Sequence, residues 1–131
     1  MRIPQIIFTL GLVVLVVLLL TPRRHPLAYN AKAEIQLQGT VEDVREFYCP
    51  VSGEIGTHLT IHTEKGNLQV HVAPSRFLNG EQWQFSKGDQ VFVVGAPIVL
   101  QGRRAIIARS ITRGSEAIAL RKEDGKPVWV N

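Results

Sequence analysis

The chain has 131 residues, enough for one domain and little more. Its formal charge of +4 gives no ground for a polyanionic partner: four bases (Arg2, Arg23, Arg24, Lys32) precede the first acid, Glu34, and residues 34–131 carry eleven charges of each sign. A single cysteine, Cys49, excludes an internal disulfide and a Cys-rich zinc site.

Residues 6–20 (IIFTLGLVVLVVLLL) carry no charge. As a helix they reach about 22 Å, or about 28 Å with residues 3–21 counted, which is marginal for a full span. The adjoining TPRRHPLAYN offers arginines and prolines where a signal peptidase needs small neutral residues. Residues 1–22 are therefore expected to be a retained transmembrane anchor rather than a removed signal segment, with membrane lipid as its partner. Residues 23–33 read as a linker and 34–131 as one folded domain. Arg23, Arg24 and Lys32 outnumber Arg2 across the apolar stretch, which leans weakly towards a cytoplasmic domain.

From Glu34 onward short alternating apolar runs separated by glycine turns predict an all-β domain. Residues 34–44 (EIQLQGTVEDV) form a first strand, followed by an irregular loop, REFYCPVSGEIG, in which Cys49 is expected half-buried. Residues 57–63 and 68–73 form a hairpin closed by Glu64-Lys65-Gly66-Asn67. Residues 74–83 (PSRFLNGEQW) lose the alternation and predict one or two helical turns starting at Pro74. A Lys87-Gly88-Asp89 turn leads into QVFVVG, and PIVLQGRRAIIARSI makes a second hairpin with residues 101–104 at its tip. AIALRKEDGKPVWVN predicts a third hairpin turning at residues 123–126. Charge is uneven along this domain: residues 34–64 carry a net −5 and residues 65–131 a net +5.

Three strands, a helical connection and two more strands match the order of the oligonucleotide/oligosaccharide-binding (OB) barrel. FSKGDQVFVVGAPIVLQGRRAIIARSI resembles the fourth and fifth strands of bacterial OB domains, where a K-G-D turn precedes an apolar strand ending in glycine. The resemblance covers roughly residues 36–113 and implies a closed five-stranded OB-like barrel with a C-terminal hairpin extension. An apolar leader before such a domain looks like the small exported, membrane-anchored OB proteins of bacteria. That likeness implies a domain on the periplasmic side, or a periplasmic protein if the leader is cleaved.

Three of the four histidines, His58, His62 and His71, fall within HLTIHTEKGNLQVH. With Thr63 opposite Leu68, all three project from the outer face of one hairpin, and Leu59, Ile61, Val70 and Val72 form the inner one. His58 and His62 then have Cβ atoms about 13 Å apart, at ~3.3 Å per residue. Two histidines sharing one ion tolerate at most about 11 Å. A pair including His71 is within reach, but no carboxylate or thiolate is placed beside it by sequence. The expectation is a polar outer face and no metal site, with the three histidines as weak candidates.

No nucleic-acid interface is expected, because none of the aromatic residues lies among the outward positions of the 57–73 hairpin. A single anchor bearing an OB domain also resembles the haem chaperone of cytochrome c maturation. That family holds haem through a histidine in a C-terminal H-x-x-x-Y segment, and this chain has no histidine after His71 and no tyrosine after Tyr48. Nucleophile-elbow, phosphate-loop and H-E-x-x-H motifs are absent.

The sequence therefore favours a non-catalytic, membrane-tethered binding module, an accessory subunit of a larger membrane protein complex, with no cofactor. Its candidate contact residues are Phe47, Tyr48, Arg76, Trp83, Arg103 and Arg104, since Trp, Tyr and Arg are the usual interface anchors. The alternatives are a single-stranded nucleic-acid-binding OB module and a periplasmic metal- or haem-handling protein.

Overall fold

A computed structural model describes residues 28–130. The expected anchor, residues 1–22, and linker residues 23–27 lie outside the described residues. Among the described residues no helix is long and apolar enough to cross a membrane.

The elements are β1 (Ile35–Cys49), β2 (Glu54–Thr63), β3 (Gly66–Pro74), a short helix α1 (Ser75–Gly80), β4 (Gln90–Leu100), β5 (Arg103–Arg113) and β6 (Glu116–Ala119). A 3-10 turn at Ala31–Ala33 precedes them, capped by the Asn30 side chain accepting from the Lys32 N–H. The six strands form one mostly antiparallel sheet, ordered β3-β2-β1-β4-β5-β6. A parallel pairing of β3 with β5, Gln69–His71 against Ala105–Ile107, closes a ring of hydrogen bonds through the first five strands.

β1 makes that ring possible by serving two neighbours. Residues 35–40 pair with β4, residues 40–49 pair with β2, and a bulge between Val41 and Asp43 bends the strand where the partner changes. On the other side β5 pairs along its length with β4, while β3 and β6 share its second edge at residues 105–107 and 110–113.

Alternation places Val41, Leu59, Ile61, Val70, Val91, Val93 and Ile111 inside, all buried, with Leu78 of α1 and Leu120 completing the core. Each such side chain contributes roughly 1.5–3 kcal/mol of burial, so the interior face holds the ring together. α1 follows directly on Pro74, its N-cap, and turns Leu78 under the ring.

Three details differ from the sequence-based reading. First, β1 runs on to Cys49, so most of the stretch expected as an irregular loop is strand. Second, the β2–β3 hairpin turns at Glu64-Lys65, pairing Thr63 with Gly66 instead of Leu68. Gly66 takes a φ of 108°, which a side chain would oppose, and that permits the tighter turn. Third, the C-terminal segment does not form a full hairpin. β6 pairs back onto β5, and the return past residues 122–126 keeps a single bridge, Arg121 to Pro127. Pro127 has no N–H to extend that ladder.

Candidate functional site

A register shift of two residues leaves each histidine on its expected face but changes its neighbour. His58 now stands directly opposite His71, and His62 opposite Asn67. His62 is exposed, its Nδ1 2.8 Å from Asn67 Oδ1, and Asn67 donates in turn to Glu42. His58 and His71 are each only 2% exposed, although they project away from the core.

Two segments cover them. The extended β1 carries Phe47 opposite Gly56 and Cys49 opposite Glu54. Phe47 stacks flat on His58, with ring centroids 3.7 Å apart and planes 7° from parallel. Cys49 is buried, and its Sγ lies 3.3 Å from His71 Nδ1. The C-terminal segment brings Arg121 and Trp129, which with Cys49 and His71 line a cavity of about 10 Å³. The two imidazoles meet edge to face at 4.5 Å.

Gly56 makes this convergence possible. It lies on β2 between Cys49 and His58, and a Cβ there would sit 3.2 Å from Cys49 Cβ and 3.3 Å from the Ala73 carbonyl. Thus Cys49, His58 and His71 each offer a ligand atom, and the three atoms lie within 4.8 Å of one another. The cluster's hydrogen bonding is incomplete. Both nitrogens of His58 and Nε2 of His71 are buried without a partner, a state that costs about 1–3 kcal/mol per group in a finished core.

Burial depresses both histidines. His58 falls to about 4, first through desolvation and second through the neighbouring His71. The Gly56 backbone pulls the other way, but it reaches neither ring nitrogen in hydrogen-bonding geometry. Desolvation also lowers His71. Both rings are neutral at pH 7, the form in which imidazole serves as a ligand. Arg121, 8% exposed, donates Nη1 to the Gly125 carbonyl at 2.8 Å and lies over the rings of Tyr29 and Trp129. Desolvation lowers its pKa, opposed by Tyr29 and Cys49.

A thiol 3.3 Å from an imidazole also has the form of a nucleophile and its base. The cavity beside it has room for about one water-sized group and for no substrate.

The six contact candidates fall in separate places. Phe47, Tyr48 and Arg76 lie near the β1–β2 connection, where Arg76 grips Glu54 through two hydrogen bonds of 2.6 and 3.0 Å. Tyr48 is 61% exposed and faces Ile55, itself 53% exposed, across the strand pair. Arg103 and Arg104 open β5 beyond the Gln101-Gly102 tip, exposed, beside Val99. Trp83 is half-buried against the core, with Arg113 stacked on it at 4.6 Å. An open concavity of about 580 Å³ is lined by Gln38, His62, Glu64, Gln90 and Phe92 among others, and gathers no such set of buried ligand atoms.

Cys49 is the site residue that sequence reasoning missed. A signal existed in the alternation Arg45-x-Phe47-x-Cys49, which continues β1 through the supposed loop onto the histidine face. The covering by Arg121 and Trp129 leaves no local trace.

Residues 34–118 match the family model described as the MamS/MamX magnetosome protein family. No curated protein matches the chain.

Proposed function

The chain belongs to the MamS/MamX magnetosome protein family, and from that premise we propose that it is a non-catalytic binding module, anchored in a membrane, whose OB-like barrel docks on a larger membrane-associated assembly. The observation carrying this reading is the tip of the β1–β2 ribbon. Tyr48 and Ile55 form an exposed cross-strand pair on one face of the ribbon, and Phe47, 38% exposed, lies on the other, over His58. Large apolar groups of this kind at a ribbon tip, which also carries the Glu54–Arg76 ion pair, have the make-up of an interface: an aromatic centre with charged groups nearby. A tether adds effective concentration near any partner in the same membrane without a new contact.

The test is extraction of the full-length protein from native membranes in mild detergent, with quantitative mass spectrometry of what co-purifies. A stoichiometric partner retained by the wild type and lost with a Tyr48→Asp, Ile55→Asp double substitution is the expected result. A monodisperse protein that captures no partner but binds single-stranded oligonucleotide, weakening steeply with salt, would replace this reading with the nucleic-acid one.

A further inference from the structure

We propose that Cys49, His58 and His71 form a closed, three-coordinate site for a single monovalent copper ion. Three observations converge on it. Two neutral imidazoles and a thiol bring one ligand atom each within 4.8 Å of the others. Bound to a common ion, such atoms stand about 3.7 Å apart, given ligand distances of ~2.0–2.3 Å. The atoms farthest apart therefore need to close by at most about an ångström, within reach of side-chain rotation. Three buried ring nitrogens have no other partner, and a metal satisfies the ones that point at it. Finally, the chain holds the cluster open at a structural cost: Gly56 keeps the space between Cys49 and His58 clear.

The choice of ion rests on charge and ligand number. On binding, Cys49 gives its thiol proton to solvent and forms a sulfur–metal bond, with no change in oxidation state. A thiolate and Cu(I) sum to zero, so the filled site adds no net charge to a buried region that already contains the Arg121 guanidinium. A divalent ion would leave a net positive charge beside that cation, with little water to screen it. Zinc also seeks a fourth ligand to complete a tetrahedron, and three protein ligand atoms converge here. Soft thiolate with imidazole at three positions suits Cu(I). Phe47, stacked on His58 and partly exposed, is the solvent-facing part of the cover and the route in.

The full-length protein in detergent, reduced and free of oxygen, would be titrated with Cu(I) against a chromophoric Cu(I) chelator. One equivalent should be held per chain. Cys49→Ser and His71→Gln should each weaken retention at least ~100-fold, while His62→Ala, on the exposed side of the same hairpin, should change it less than ~3-fold. X-ray absorption on the loaded wild type reads the ligand set without any variant, so misfolding of a substituted protein cannot mask the result. One short sulfur and two nitrogen scatterers are expected. The proposal fails if no copper is retained, if Cys49→Ser retains it unchanged, if the absorption spectrum lacks a sulfur neighbour, or if Zn(II) is held tightly and Cu(I) is not.

Discussion

Tyr29, Glu34 and Arg109 make one polar cluster of the domain, and Cys49, His58 and His71 make another. In the first, the Tyr29 hydroxyl donates to Glu34 at 2.6 Å and two N–H groups of Arg109 take both carboxylate oxygens at 2.7 Å. The Arg109 hydrogen bonds, then that of Tyr29, hold Glu34 below the usual carboxylate range, and burial followed by Glu34 raises Tyr29. In the second, only the Cys49–His71 contact is made, and three nitrogens are stranded in a drier place. A closed network fastens the segment before β1 to β5. An open one gains nothing for the fold, and its unmet bonds are the reason to assign it a ligand.

Acid should separate the two clusters most sharply. His58 has a folded pKa of about 4 against 6.5 in a free chain. Above pH 6.5 the ring is neutral in both states and contributes nothing. As pH falls, the unfolded chain takes up a proton that the folded site refuses, so stability declines through this window and levels off below about 4. At ~1.4 kcal/mol per unit the loss approaches roughly 3 kcal/mol, with His71 acting in the same direction. The groups facing His58 are His71, the Cys49 thiol, the Phe47 ring and, across the strand pair, Arg45, whose charge is engaged by Asp43. Glu34 acts later. Its depressed pKa adds stability that is present above the ordinary carboxylate value and lost as pH falls through the lower folded one. Urea unfolding of metal-free protein between pH 7.5 and 3 should therefore show two steps, and His58→Phe should remove much of the upper one.

Glu34→Ala attacks the closed cluster. It strips Arg109 and Tyr29 of their acceptor where the pair is about a quarter exposed, and a loss of about 2–3 kcal/mol is expected at pH 7. The same substitution should leave Cu(I) retention unchanged. A parallel loss of both would show the clusters to be one cooperative unit.

Gly56→Ala comes next. Its Cβ would press on Cys49 Cβ and the Ala73 carbonyl at 3.2 and 3.3 Å. Strand residues usually gain when glycine is replaced, by roughly 0.5–1 kcal/mol. Crowding of about 1–3 kcal/mol outweighs that here, for a net loss of about 1 kcal/mol by chemical denaturation. Metal retention should fall with it, because the methyl group drives Cys49 and His58 apart.

How much of this was legible depends on how far apart the interacting residues lie in the chain. The helical break at Pro74, the Lys87-Gly88-Asp89 turn and the alternation of β4 and β5 are local features, and the six strands with their short helix keep the expected order. The β2–β3 register was two residues out because two-residue and four-residue turns both accommodate Glu64-Lys65-Gly66-Asn67, and backbone geometry at Gly66 decides between them. Since a shift of two preserves strand faces, His58, His62 and His71 kept their sides while the pairing of His58 with His71 was lost to view. His62 is the exposed member of the three. Cys49 stands 22 residues before His71 and joins it only after β1 runs past its bulge. Arg121 and Trp129 arrive from the far end of the chain to seal the face. Burial of that kind cannot be read from alternation, which reports faces and not what covers them.

The smallest expected effect is the most discriminating, because its sign runs against the general cost of core substitutions. His58→Phe keeps a flat aromatic ring of similar size between Phe47 and His71 while deleting both stranded nitrogens. In a site that exists for packing, changing a fitted residue lowers stability. In a site that waits for a ligand, the native histidine is the destabilising choice when empty, and phenylalanine relieves it by about 1 kcal/mol. Metal-free wild type and variant would be compared by urea midpoint at pH 7.5, where both histidines are neutral and the pH effect is absent. A higher midpoint for the variant, together with loss of Cu(I) retention, is expected. A lower midpoint would mean that the nitrogens are already satisfied by bound water, and the contrast between the closed and the open cluster would no longer point to a ligand.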